Sequence, residues 1–595
     1  MKQFFQRSLC SRWLPLVLVI LALVAAATAL PTGWQQDDLI HRYFLLGHAD
    51  YAGERPSPLD LFYFLDGDSL RATSLMNLGV VPWWTLPDLR LSFLRPLASA
   101  THWLDYQLWP NGAVLMHLHS LLWLGAVVLA ATAMYRGLLG PTWVAGLAAL
   151  FFALDDVHGL PAGWLANRNA LVSLFFGLLT LLVHDRWRRG GWKPGAYLGP
   201  LFLFMALLSG ESALALSAYL FAYALVLDAG TARRRVMSLS SYAAVALGWL
   251  ILYRSLGYGA RGSGFYVDPI AEPLEFLQAI VWKAPLLLAD QWGVPPSSFV
   301  VFLERNTIVA LWVWALLLLA AIGLLLLPLI RQDRLSQYWF LGMLLSLPFA
   351  CTTMPHSRLL SFVGIGAMGL LAQWVGGMVT KAGWLPKPQR WRMLARPMLV
   401  FLLAVHLVLA PLLLAMNARS AAFAEPYIQT PMERVSLGAA VTEQDLVILN
   451  HPLVFYAHYF LTVRALVGQS VPRSVRVLAP GDGALIVSRP DATALCLRPA
   501  NGFLHSPFDR VFRGLEYPLQ VGDKVTLDRM AVTILELTAD GRPAEARFSF
   551  GVPLEDLSLS WLRWDGGGFV SFRPPAVGDS LVLPGSPIDL LSPSQ

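Results

Sequence analysis

Asp37-Asp38 stands a few residues beyond the end of the first long apolar run, residues 14–30. Two adjacent carboxylates there can take the proton of an acceptor hydroxyl or hold a divalent cation. An apolar-periodic helix begins immediately after them and Asp is a favoured helix cap, so capping is the competing role, and the two tasks can be split between the two residues. Asp155-Asp156-Val157-His158, followed by Gly163-Trp164 and Asn167-Arg168, crowds acid, imidazole and guanidinium groups into one short loop, where ligand binding competes with plain solvation. Glu211, in Ser209-Gly210-Glu211-Ser212, interrupts an apolar stretch from 196 to 227. An ionisable group at membrane depth is costly and points to function, while a polar turn at the surface is the plainer reading. Pro355-His356-Ser357-Arg358 opens a further apolar run. A guanidinium beside a membrane suits a headgroup phosphate through paired hydrogen bonds, or merely snorkels to the interface. The Gly-rich segment 257–273 matches no phosphate-cradling motif and stands as a substrate-loop candidate.

The elements that must position these groups are membrane spans. Of 595 residues, 56% are apolar and only 14% charged, against about a quarter charged in soluble domains, and the mean hydropathy is +0.55. A soluble enzyme, a disordered chain and a fibrous repeat are excluded. Apolar stretches at 14–30, 114–135, 141–154, 169–183, 196–209, 212–227, 237–256, 307–330, 335–353, 358–379 and 397–416 predict eleven spans. The first is read as a retained signal anchor. With the N-terminus cytoplasmic, Arg136, Arg186/Arg188/Arg189/Lys193, Arg233–Arg235, Arg331/Arg334 and the basic cluster 381–396 all face inward, as the positive-inside rule requires. The net charge of +6 is therefore topological and gives no case for nucleic acid. The stretch 274–292, which carries Lys283, Pro285 and Asp290, is read as interfacial or re-entrant.

An odd span count sends residues 417–595 outside. The domain reading is thus a transmembrane domain, 1–416, and an extracytoplasmic β-rich or α+β domain, 417–595. Within the first, residues 31–113 form a large external loop with two surface helices, 38–47 and 93–108, among Trp34, Trp83, Trp84, Trp103 and Trp109. Strand-like runs fall at 445–449, 483–488, 493–498, 530–537 and 544–550, with an Asp540-Gly541 turn between the last two. Cys10, Cys351 and Cys496 are too few and scattered for a disulfide framework or a zinc site. No internal repeat is visible.

Taken in order, these pieces resemble the GT-C class of polyprenyl-phosphate-sugar-dependent glycosyltransferases, most closely the membrane half of the transmembrane-and-tetratricopeptide-repeat O-mannosyltransferases and their bacterial relatives. The resemblance covers roughly residues 14–230 and rests on Asp37-Asp38-Leu-Ile; Phe93-Leu-Arg95-Pro96-Leu97 with His117-Leu-His119; Asp156-Val-His158 with Trp164 and Asn167-Arg168-Asn169; and Leu208-Ser209-Gly210-Glu211. It departs where the family has His-Pro-Val-His and this chain Asp155-Asp156-Val-His158, and where Lys-Glu becomes Gly210-Glu211; the β-rich tail replaces the tetratricopeptide repeats. The resemblance implies a sugar on a lipid phosphate as donor and an inverting transfer to a hydroxyl. Asp37 or Asp38 would be the base, and Arg358 would hold the phosphate. Arg95, Asp155, Asp156, His158, Arg168, Glu211 and His356 would bind donor or acceptor.

The expected partners are a lipid-linked sugar donor, membrane lipids and a glycan, lipid or protein acceptor. No cofactor is assigned beyond the divalent cation that the first carboxylate pair admits. A transporter or flippase would place paired charges near mid-membrane and show two similar halves. A non-catalytic envelope-assembly protein, with the tail binding glycan, is the third reading.

Overall fold

All eleven apolar stretches are helical in the computed structural model, which describes residues 2–49 and 57–586. The chain divides into two compact units: residues 1–33, 93–256 and 268–421 form the first, and 34–92, 257–267 and 422–595 the second.

The first unit is a helical bundle. Among the described residues, six helices are long and apolar enough to cross a membrane, or seven if the bent pair 143–153 and 156–163 counts as one span; 14–29, 195–207 and 211–227 are shorter apolar helices. The chain is thus a multi-pass α-helical membrane protein; the eleven expected stretches are helical, but six or seven of the described helices, not eleven, have the length and composition to cross. The first helix, Leu14–Ala26, shows why such a sequence packs: Leu14, Leu18, Ala22 and Ala26 recur every four residues and are buried, while Val17, Ile20, Leu21 and Val24 point outward. Outward leucines cost nothing against lipid tails, so small residues mark the inner seams instead. The helix Ser361–Thr380 is nearly all buried, and it approaches its neighbours through glycine: a Cβ at Gly366 would run into Trp339 O, and one at Gly369 into the Trp339 ring at 2.7 Å.

The helix Pro96–Leu108 follows the same inverted logic. Its buried residues are Ala98, Ser99, Thr101, His102, Asp105 and Tyr106, whereas Trp103, Leu104 and Leu108 are exposed. The segment 274–292 is one 20-residue helix, Pro273–Trp292, that buries Lys283, Asp290 and Gln291.

The second unit contains three sheets. Strands β1 (Tyr63–Asp66), β2 (Arg90–Ser92) and β3 (Gly259–Arg261) form a small antiparallel sheet. The others are β4 (Asp445–His451), β5 (Ser474–Pro480), β6 (Leu485–Asp491), β7 (Ala494–Pro499), β8 (Lys524–Leu527), β9 (Met530–Leu537), β10 (Pro543–Phe550), β11 (Leu559–Asp565), β12 (Gly568–Ser571) and β13 (Ser580–Leu583). Six of them make an antiparallel sheet in the order β13-β6-β7-β10-β9-β8, and four a mixed sheet in the order β12-β11-β4-β5. In the mixed sheet β11, β4 and β5 run parallel, and the short helices Val454–Ala457 and Phe460–Leu466 cross between β4 and β5. The Asp540-Gly541 turn forms as expected, with Gly541 at φ +82°.

The unit boundary differs from the expected 416/417. Residues 34–49 and 57–92, read as part of the membrane half with a surface helix at 38–47, pack instead into the core of the second unit. The reason is apolar content: Leu39, Leu75, Met76, Trp83 and Trp84 join Leu446–Leu449, Leu495 and Phe548 in one buried cluster. Gly79 closes the helix Ser69–Leu78 at φ +84°, and any side chain there would collide with Val475 O of β5. Arg476, on β5, donates to Met76 O at 2.9 Å, and Trp83 Nε1 to Leu478 O at 3.1 Å.

Candidate active-site residues in the two units

In the second unit, the two carboxylates of Asp37-Asp38 divide their work. Both lie in the first turn of the helix Asp37–Leu45. Asp38 is buried and accepts from Gln35 N at 2.9 Å, which ties down the segment before the helix; the N-cap position, Gln36, has no side-chain cap bond, so the expected capping role is not the one observed. Asp37 is partly exposed and accepts from the Tyr459 hydroxyl at 2.8 Å. Burial, reinforced by the Asp37 carboxylate, holds the Tyr459 phenol well above its usual range, so Tyr459 stays a donor to Asp37. The backbone at Gln36 turns through φ +51°, a conformation costing a side-chain-bearing residue about 1 kcal/mol or more, and this aims the carboxylate pair.

In the first unit, the loop after residue 153 is bound down by its own polar groups. Asp155 accepts from Val157 N at 3.4 Å and from Gln291 Nε2 at 3.0 Å. Asp156 accepts from Asn417 Nδ2 at 3.0 Å. Asp290 takes both the backbone N–H (2.9 Å) and the hydroxyl (2.6 Å) of Ser297. His356 Nδ1 accepts from Arg358 N at 3.2 Å and pairs with Ser298 Oγ at 3.2 Å. The Arg358 guanidinium lies over the Trp164 ring, 5.4 Å from its centre. A Cβ on Gly364 would stand 3.3 Å from both Asp155 Oδ2 and Gln291 Oε1, so glycine lets the central helix reach this cluster. Asp155, Asp156, His356 and Arg358, far apart in sequence, are thus gathered where the turns 156–158 and 357–360 meet the ends of helices 273–292 and 410–417.

Arg95 caps the start of the helix Pro96–Leu108 and binds Glu211 Oε2 through Nε at 3.0 Å and Nη2 at 2.7 Å. Glu211 Oε1 is buried and has no hydrogen-bond partner among the described residues.

His158 and Arg168, expected to touch ligand, lie in the interior. His158 is fully buried and pairs with Phe152 O at 3.0 Å. Arg168 is 0% exposed, with Nε on Ser120 Oγ (2.8 Å), Nη1 on Asp105 Oδ2 (2.5 Å) and Nη2 on Met116 O (2.7 Å). Asp105 also holds His119 Nδ1 at 2.6 Å, and His119 Nε2 accepts from Trp123 Nε1 at 3.1 Å. This group ties three helices together and positions the bundle.

Asp105, Gln291 and Asn417 escaped the sequence reading, and His119 and Asp290 were named in it without a site role. Asp290 and Gln291 carried a signal, since ionisable and amide groups in an apolar helix want a partner; for Asn417, at a span end, no local signal exists. Among the described residues no group of three or more His, Cys, Asp or Glu side chains is placed to hold a metal ion. All three cysteines are free.

A multi-pass helical bundle joined to a unit of mixed and antiparallel sheets is therefore the class of protein the chain defines. No protein-family model matches it, and no curated protein does. Among solved structures it is similar to ArnT from Cupriavidus metallidurans bound to undecaprenyl phosphate, with 13% identity over 77% of this chain and 85% of that one, at a TM-score of 0.35. It is also similar to the Archaeoglobus fulgidus oligosaccharyltransferase tethered to an acceptor peptide with the NVT sequon, with 12% identity over 80% of this chain and 65% of that one, at a TM-score of 0.38.

Proposed function

We propose that the protein is a membrane glycosyltransferase that moves a sugar from a lipid-phosphate-linked donor to an acceptor hydroxyl on the extracytoplasmic side, with the N-terminus cytoplasmic. The observation that carries this reading is Arg358, presented on the face of Trp164 beside buried, hydrogen-bonded carboxylates whose own donors are already committed. A guanidinium so placed is suited to a phosphate diester by paired hydrogen bonds. In the transfer, the anomeric C–O bond to phosphate breaks as the acceptor oxygen bonds the same carbon from the opposite face. The bonding pair leaves with the lipid phosphate, whose charge Arg358 would balance, and the acceptor proton passes to a carboxylate. Asp37 suits that last task better than Asp38, because Asp38 is buried and bonded to Gln35 N while Asp37 is partly exposed. Arg95 and Glu211 form a second polar pair suited to sugar hydroxyls, and Arg168 positions helices.

A transporter reading has one observation in its favour, the charges Lys283, Asp105 and Arg168 buried within the bundle. Each is satisfied locally, however, Lys283 by Cys351 O at 3.1 Å.

The test is profiling of envelope glycans and lipid-linked sugars from cells with wild-type protein, Asp37→Asn, Arg358→Ala or none, at matched membrane levels. Both variants are expected to lose about 10²–10⁴-fold in transfer and to accumulate the unused donor, as the deletion does. If both restore the wild-type profile, these residues are not the active site; if donor is depleted on one side of the membrane only, transport is the better reading.

A further inference from the structure

The parallel strands β4 and β5 end side by side, with His451 opposite Pro480. Beyond the carboxyl ends of neighbouring parallel strands, the loops splay and leave a crevice, the usual ligand position in open sheets with helical crossovers. Here the crevice is lined by Phe455, Asp482, His505, Ser506, Phe508 and Asp509, with an enclosed floor of about 10 Å³, room for one water, inside an open volume of about 230 Å³.

Three features mark it as built. Asp482 Oδ2 binds His505 Nε2 at 3.1 Å, and His505 Nδ1 is buried with no partner among the described residues. Leu504, just before this histidine, is held at φ +55°, and Arg510 grips the carbonyls of Leu504 (2.9 Å) and His505 (3.0 Å). Strain held in place by a dedicated side chain is a feature of ligand sites. Asp509 is buried in the wall, and burial pushes its carboxyl up to about 7, with Asp482 adding to the rise and His505 and Arg510 opposing it.

The wall chemistry selects the ligand. Phe455 and Phe508, ring centres 6.3 Å apart and both partly exposed, offer apolar faces. Asp482, oriented by the His505 imidazole at 3.1 Å, accepts hydroxyl protons. The Asp482 carboxylate at the polar edge repels an anion, so a phosphate or uronate is disfavoured there. We propose that this crevice is a carbohydrate-binding site of the second unit, taking an uncharged pyranose ring whose C–H face lies on Phe455 and Phe508 and whose hydroxyls bond Asp482, which His505 orients. The shallow floor suits a ring resting on the rim of the crevice, with its hydroxyls reaching the polar edge.

The site is tested with the full chain in lipid nanodiscs, titrated with mannotetraose, maltotetraose and chitotetraose, and with tetragalacturonate as the charged probe. At least one neutral tetrasaccharide is expected to bind with a Kd of about 0.1–1 mM and tetragalacturonate at least tenfold more weakly. Asp482→Asn and Phe508→Ala should each weaken binding tenfold or more with the melting temperature unchanged, while Asp37→Asn and Arg358→Ala bind as wild type does. That last pair separates failure here from failure of the transferase reading. Should Asp482→Asn misfold, diethylpyrocarbonate labelling of His505 in the wild type decides, because the bound saccharide should slow it severalfold. No neutral binding, preference for tetragalacturonate, binding that survives Asp482→Asn, or unprotected His505 each overturns the proposal.

Discussion

The two units treat charge in opposite ways. In the helical unit Asp105 and Arg168 are wholly buried and bonded to each other, while leucines such as Leu122 and Leu324 stand outside. In the second unit, Arg498 bridges Glu536 and Glu545 across an open sheet face, and leucines such as Leu446 to Leu449 fill the interior. The same residue types thus carry opposite meanings. Where the surroundings are lipid, an unpaired charge is the expensive object and an exposed leucine is free; where they are water, the reverse holds.

That contrast predicts a ranking of damage. Arg168→Leu strands the Asp105 carboxylate in the bundle and should cost about 3–5 kcal/mol, read as loss of folded protein on detergent-gel analysis. Asp105→Leu combined with Arg168→Leu should recover part of it, since no buried charge is then left without its counter-charge, although His119 Nδ1 and Met116 O lose a partner. If the double variant is as poorly folded as the single one, the pair has a role beyond mutual neutralisation.

A smaller effect belongs to Asp509. The folded state keeps this proton to about pH 7, whereas the unfolded chain releases it near 3.8. Its contribution to stability is therefore full below about pH 4 and lost as pH rises through 7. Asp509→Asn, which mimics the protonated form, should raise the melting temperature by a few degrees at pH 8 and by less than half as much at pH 5. A thermal-shift series across pH checks the sign, and a larger gain at pH 5 than at pH 8 would contradict the assignment. The smallest effect is expected at the open ladder: Arg498→Ala should alter stability by about 1 kcal/mol or less and lose even that in high salt.

Much of the helical unit was legible because lipid-facing helices write their presence as long apolar runs. Strands with local alternation were equally plain: the run 530–537 is β9, and 544–550 lies within Pro543–Phe550. What the sequence concealed were the groups satisfied at long range. Strand β5 carries Arg476 in a wholly buried run, which reads as an interruption until its bond to Met76, 400 residues away, is seen. Segment 34–92 looked like a surface loop because its tryptophans read as membrane-surface anchors, yet Trp83 and Trp84 are buried among strands. At the candidate site the reverse happened: Asp37-Asp38 and Arg358 were visible by type and placement, but only geometry shows that Asp38 is buried on the Gln35 N–H and Arg168 is held by its neighbour.

The bond from Asn417 to Asp156 joins residues 261 positions apart. On the same side, Gly159 and Gly163 have no Cβ because Asn417, Leu414 and Ala418 occupy that space. Synthesised at about 5–20 residues per second, the chain must wait tens of seconds after making the turn at 156–163 before the helix that completes it exists. Throughout that interval the early spans carry an unfinished socket, so a ribosome that stalls before residue 414 leaves a product whose loop is open and recognisable to quality-control proteases.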